Sequence, residues 1–149
     1  MLRKLFLLLL AAFSFSLGSC QGTKQNPVYG SILKIKISKS AFGVEADDIP
    51  SIEVYVDFTT DSSRCERTFY NPAYKGSVYS FSKNKIAAIL NVLNNADLEK
   101  LKTKYTANKS DQSTSTITIY TTKQTFTITD YGMVGEDPLP ELYKLVYKE

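Results

Sequence analysis

Apolar and polar residues alternate along six short stretches of the chain. From Ser31 to Ser40, Leu33, Ile35 and Ile37 point one way and Lys34, Lys36 and Ser38 the other, the two-residue period of a half-buried strand. Ile52, Val54, Val56 and Phe58 alternate with Glu53, Tyr55 and Asp57 in the same way. A third strand is expected over Arg64 to Tyr70, with Cys65 and Phe69 inward, and a short fourth over Val78 to Phe81. Ser115 to Thr121 and Gln124 to Asp130 read as a hairpin turning at Thr122-Lys123. Ile117, Ile119, Phe126 and Ile128 form its core face and a row of threonines the other. An antiparallel pairing of the first two strands sets Lys34 or Lys36 opposite Glu53 or Asp57, each such pair worth about 0.2 to 1 kcal/mol.

The period lengthens elsewhere. Ile86, Ile89, Leu90 and Leu93 recur at helical spacing behind Ser82, a good N-cap, which predicts a helix over Lys83 to Asn94. Asp97 to Tyr105 has acidic residues first and Lys102 and Lys104 last, the order a helix dipole favours, with Leu98, Leu101 and Tyr105 as an apolar stripe. Asp137-Pro138 opens a last helix buried through Leu139, Leu142, Leu145 and Val146. The order β-β-β-β-α-α-β-β-α predicts an α+β fold: a single domain with an antiparallel sheet of about six strands, helices packed on one face and the other face open to solvent. Strand order does not follow from these patterns.

The first twenty residues follow none of these periods. Arg3 and Lys4 precede an apolar run from Leu5 to Phe15, then small residues lead to Cys20, the layout of a secretory signal peptide. The run is shorter than the roughly 20 residues a membrane span needs. Removal of residues 1–19 is expected, the cut behind Ser19 being what the resemblance of Leu17-Gly18-Ser19-Cys20 to a lipoprotein lipobox implies, with 20–30 then a polar tether containing Asn26-Pro27 and 31–149 the folded part. Of 18 basic and 15 acidic residues in the full chain, loss of Arg3 and Lys4 leaves 16 basic, so the mature protein is nearly neutral. Its charges are interspersed, which excludes a nucleic-acid footprint.

The absence of histidine excludes Ser-His-Asp and Cys-His catalysis and histidine-ligated zinc. Asp47, Asp48, Asp57, Asp61, Asp111 and Asp130 leave two-carboxylate chemistry formally open, but they read as solvated and suggest no cleft. Tyr131-Gly132-Met133-Val134-Gly135 lacks the Lys-Ser/Thr of a phosphate loop. No catalytic residue, metal or cofactor is expected, and the chain reads as a non-enzyme. Cys65 reads as a small buried hydrophobe. Tyr70, Tyr74 and Tyr79, with Lys75 among them, gather around Asn71-Pro72 and form the candidate binding surface, since amphipathic rings on a loop suit a sugar or a protein.

Two resemblances extend this reading. Leu17-Gly18-Ser19-Cys20 resembles the lipobox of bacterial lipoproteins. That implies lipidation of Cys20, with palmitate-type acyl chains holding the protein in a membrane, and Gln21 after the cysteine points towards the outer membrane. LEKLKTKY from Leu98, the loop with Asp111, ITIY, FTITDYG and DPLPELYKL together resemble an uncharacterised family of small bacterial lipoprotein domains. The function expected is a membrane-anchored, non-enzymatic binding or accessory module of the cell envelope, its partner an envelope protein or glycan. The alternative is a protein inhibitor of an envelope hydrolase.

Overall fold

The computed structural model describes residues 28–40 and 47–147. The expected signal segment, Cys20 and most of the tether lie outside them.

Seven strands form one sheet: β1 (Ile32–Ser40), β2 (Ser51–Asp57), β3 (Ser62–Thr68), β4 (Ser77–Tyr79), β5 (Lys104–Thr106), β6 (Thr114–Thr121) and β7 (Thr125–Tyr131). Two helices, α1 (Lys83–Asn94) and α2 (Leu139–Tyr147), and a 3-10 turn at Leu98–Lys100 complete the described elements. The strand order is β4-β3-β2-β1-β6-β7-β5. The first strand thus lies at the centre, with β2 antiparallel on one side and β6 antiparallel on the other.

Alternation assigns the two faces. Across the strands, Cys65, Val54, Ile37, Ile117 and Ile128 stand in register, and Val56, Ile35, Ile119 and Phe126 form the next row. Except for half-buried Phe126, all of them are buried, in one cluster with Ile86, Ile89 and Leu93 of α1, Leu98, and Leu139, Leu142 and Val146 of α2. Both helices therefore cover the same face. Each fully buried isoleucine or leucine contributes about 1.5 to 3 kcal/mol of transfer free energy.

The local signals behind both helices are visible. Ser82 has extended backbone and its hydroxyl accepts the Lys85 N–H at 3.3 Å, capping α1. At α2, the Pro138 carbonyl accepts the Leu142 N–H at 3.0 Å. Pro140 falls in the first turn, where its missing N–H removes no helical bond. The hairpin closes as expected at Thr122-Lys123, with the Thr121 N–H donating to the Gln124 carbonyl at 3.0 Å.

Three expectations are corrected. The sheet has seven strands instead of six, and one pairing, β5 on β7, is parallel. The extra strand comes from the segment read as a helix over Asp97 to Tyr105. Only Leu98–Lys100 turn, and Leu101 is already extended (φ −67°, ψ 135°), so Tyr105 reaches the edge of β7 opposite Asp130. Finally, β1 carries a bulge between Ile32 and Lys34, which turns Ile32 into the core and leaves Leu33 half-buried. The described globule also takes in Tyr29, which is buried edge-on against Phe126 at 5.4 Å and donates to the Ala96 carbonyl at 3.4 Å.

Candidate functional site

Two places gather polar chemistry, one on each face of the sheet. The first lies inside. At one end of the helix-covered face, Lys39, Ser115 and Asp130 stand in register, with Tyr105 beyond. Asp130 is 0% exposed, which corrects its reading as a solvated carboxylate. One carboxylate oxygen accepts the Val134 N–H at 2.9 Å, and the other accepts the Gly135 N–H at 2.9 Å and the Tyr143 hydroxyl at 2.7 Å. Beside it the Ser115 and Tyr147 hydroxyls are 2.7 Å apart, and the two tyrosine rings stack at 5.6 Å.

Burial first, then the bond to Asp130 and its charge, hold the Tyr143 phenol protonated far above its usual range. Burial raises Tyr147 as well. The Lys39 ammonium lies 5.4 Å from the Tyr147 ring centre and is pushed down by burial and then by the Arg67 charge. Serine, lysine, tyrosine and carboxylate together suggest catalysis, yet Ser115 and Asp130 are both fully enclosed. The network serves the fold: three donors satisfy the buried carboxylate, which ties the connector at Val134 and Gly135 to α2. Single-sequence reading missed it because no spacing rule links Asp130 to residues 13 and 17 positions further on.

The second place is the open face. Three rows cross it, Arg64-Tyr55-Lys36-Thr118-Thr127, Glu66-Glu53-Ser38-Thr116-Thr129 and Ser62-Asp57-Lys34-Tyr120-Thr125. Val78 of β4 extends the second row beyond Glu66. The β1–β3 half is charged and aromatic; the β6–β7 half is hydroxyl. Lys34 stands opposite Asp57, as the sequence allowed, with Nζ 3.1 Å from Oδ2. Hydrogen bonds from Thr59, and then from Lys34, hold the Asp57 carboxyl below its usual range. Lys34 is raised by its bonds to Tyr55 and Asp57. Lys36, Glu53, Val54, Tyr55, Arg64 and Glu66 line a shallow depression of about 220 Å³.

The tyrosine cluster is brought together only in part. Tyr74 stacks on Phe69 at 5.5 Å, in a turn where Asn71 accepts the Ala73 N–H at 2.9 Å through its side chain. Tyr70 is 97% exposed. Lys75 is exposed on the same loop. Tyr79, read as part of that surface, belongs to β4 opposite Cys65, on the helix-covered side, half-buried against Phe81 with the Arg67 guanidinium 5.9 Å from its ring. Cys65 itself is 0% exposed.

Among the described residues no group of three or more His, Cys, Asp or Glu side chains is placed to hold a metal ion. No described helix is long and apolar enough to cross a membrane. A family model described as "Domain of unknown function (DUF6438)" matches residues 66–148, from within β3 through the whole of α2. No curated protein and no solved structure matches.

Proposed function

The chain belongs to the DUF6438 family, whose description names no activity, and from that premise we propose that it is a lipid-anchored, non-enzymatic binding module of the cell envelope. Acyl chains on Cys20 hold it to a membrane, the outer membrane in bacteria that have one. The open sheet face holds an envelope protein or glycan.

One observation carries the reading. Both helices pack on one face, while the opposite face aligns lysine, arginine, glutamate, tyrosine and threonine side chains in rows across five strands. Such a surface can hydrogen-bond and stack on a ligand along its whole width. The lack of histidine and the enclosure of the Ser115-Asp130 network support a role without turnover.

Fractionation of cells making the full-length chain tests the anchor. The native protein should sediment with membranes, and Cys20→Ala should move it to the soluble fraction. Co-sedimentation of the acylated protein with purified envelope tests the face. Tyr55→Ala combined with Thr118→Asp should abolish it, and unchanged co-sedimentation would reject the face as the binding site.

The protruding Tyr70 favours a second reading, a protein inhibitor that inserts Tyr70 and Tyr74 into the cleft of an envelope hydrolase. Under it, Tyr70→Ala would relieve inhibition of a co-purifying enzyme while the open-face variants would not.

A further inference from the structure

The charged half of the open face has an internal order. Lys36 and Arg64 flank Tyr55 in one row; Glu53 and Glu66 stand directly opposite each other in the next. With strands about 4.8 Å apart and same-face residues about 6.7 Å apart along each strand, the cations are separated by about 10 Å and lie one step from the acid pair. All five side chains line the same depression.

Two carboxylates directly opposite on neighbouring strands are unfavourable by a few tenths of a kcal/mol to about 1 kcal/mol. Arg64 offsets part of this by bridging to Glu66 at 2.9 Å. Among the described residues, neither Glu53 nor Lys36 has an ion-pair partner within 4.0 Å. One anion and one cation are thus left uncompensated on the two rows of a single hollow, a breach of local pairing rules of the kind that marks functional sites.

We propose that this hollow takes a small zwitterion, the free ammonium and free carboxylate of a short peptide. The ammonium sits between Glu53 and Glu66, the carboxylate between Lys36 and Arg64, and the peptide unit lies along Tyr55. An extended dipeptide separates its two charged ends by about 6 Å, close to the spacing of the rows. A simple anion would meet the acid pair and a simple cation would meet Lys36 and Arg64, while a neutral sugar could hydrogen-bond to either row but would compensate the charge of neither. The assignment rests on the open face being the binding face.

Calorimetric titration of the full-length chain in detergent with glycylglycine tests it. Saturable binding should weaken at least fivefold with N-acetylglycylglycine and with glycylglycinamide, each lacking one charge. Lys36→Gln and Glu53→Gln, both at exposed positions, should each weaken glycylglycine binding at least fivefold without lowering the thermal midpoint, which relief of the Glu53-Glu66 repulsion can only raise. No saturable binding, equal binding of the blocked peptides, or indifference to both substitutions would overturn the assignment. If glycylglycine fails while Tyr55→Ala with Thr118→Asp still abolishes envelope co-sedimentation, only the zwitterion site falls. If that double variant also leaves co-sedimentation unchanged, the binding face falls with it.

Discussion

The Tyr143 hydroxyl donates to the enclosed carboxylate of Asp130 across 2.7 Å, tying α2 to the last strand of the hairpin. Hydrogen bonds to charged groups contribute about 1.5 to 3 kcal/mol, and leaving a buried charge short of a donor falls in the same range. Tyr143→Phe, which removes only the hydroxyl, should lower the unfolding free energy by about 2 kcal/mol in urea titrations. A loss under 0.5 kcal/mol would mean that the two backbone donors at Val134 and Gly135 suffice.

The same contact sets an alkaline limit. Tyr143 and Tyr147 titrate higher in the folded chain than the phenol's usual value of about 10. Above about pH 10 the unfolded chain loses these protons while the folded chain keeps them, so their stabilisation, complete below that pH, declines as pH rises. Lys34, also raised, acts in the same direction. Stability measured from neutral to strongly alkaline pH should fall, and Tyr143→Phe should make that fall shallower. Parallel curves for the two proteins would contradict the assignment.

Gly135 has no room for a side chain. A Cβ there would lie 2.4 Å from Leu139 Cδ1 and 2.7 Å from Asp130 Oδ2. Gly135→Ala should destabilise by about 1 to 3 kcal/mol, the usual range for overpacking, with a matching drop in the urea midpoint.

Neighbouring residues of β6 should respond in opposite ways. Ile119 is fully buried against the helices, and Ile119→Ala should cost about 2 to 5 kcal/mol. Thr118 faces outward, and Thr118→Ala should stay within about 0.5 kcal/mol. Equal losses would show that something covers the open face in the isolated protein.

Much of this architecture is legible from spacing alone. The alternation in β2, β6 and β7 and the Ser82 cap give nearly the observed boundaries, because each rests on neighbours two to four residues apart. Asp97 to Tyr105 misleads for a physical reason. Its charge order and apolar spacing suit a helix, but Asp97 and Lys100 use that spacing for a single ion pair at 2.9 Å. Tyr105 then gains more at the edge of β7, where its hydroxyl accepts the Lys102 N–H at 3.0 Å and donates to Glu136 at 3.3 Å. The charged rows of the open face were partly visible, since alternation sends Lys36, Glu53 and Tyr55 to the same side. That Glu53 meets Glu66 depends on register, which only the folded sheet supplies. Tyr79 was misplaced because nearness in sequence says nothing about which side of a strand a ring occupies.

The position of β1 between β2 and β6 bears on how the chain reaches this state. A ribosome releases β1 first, yet its second neighbour starts at Thr114, more than seventy residues later. Until then one border of the strand, flanked by Ile35 and Ile37, offers unsatisfied amides to any extended segment nearby. Premature partners are most dangerous during that interval, so a chaperone that shields the nascent segment would raise yield far more than one acting on the finished protein.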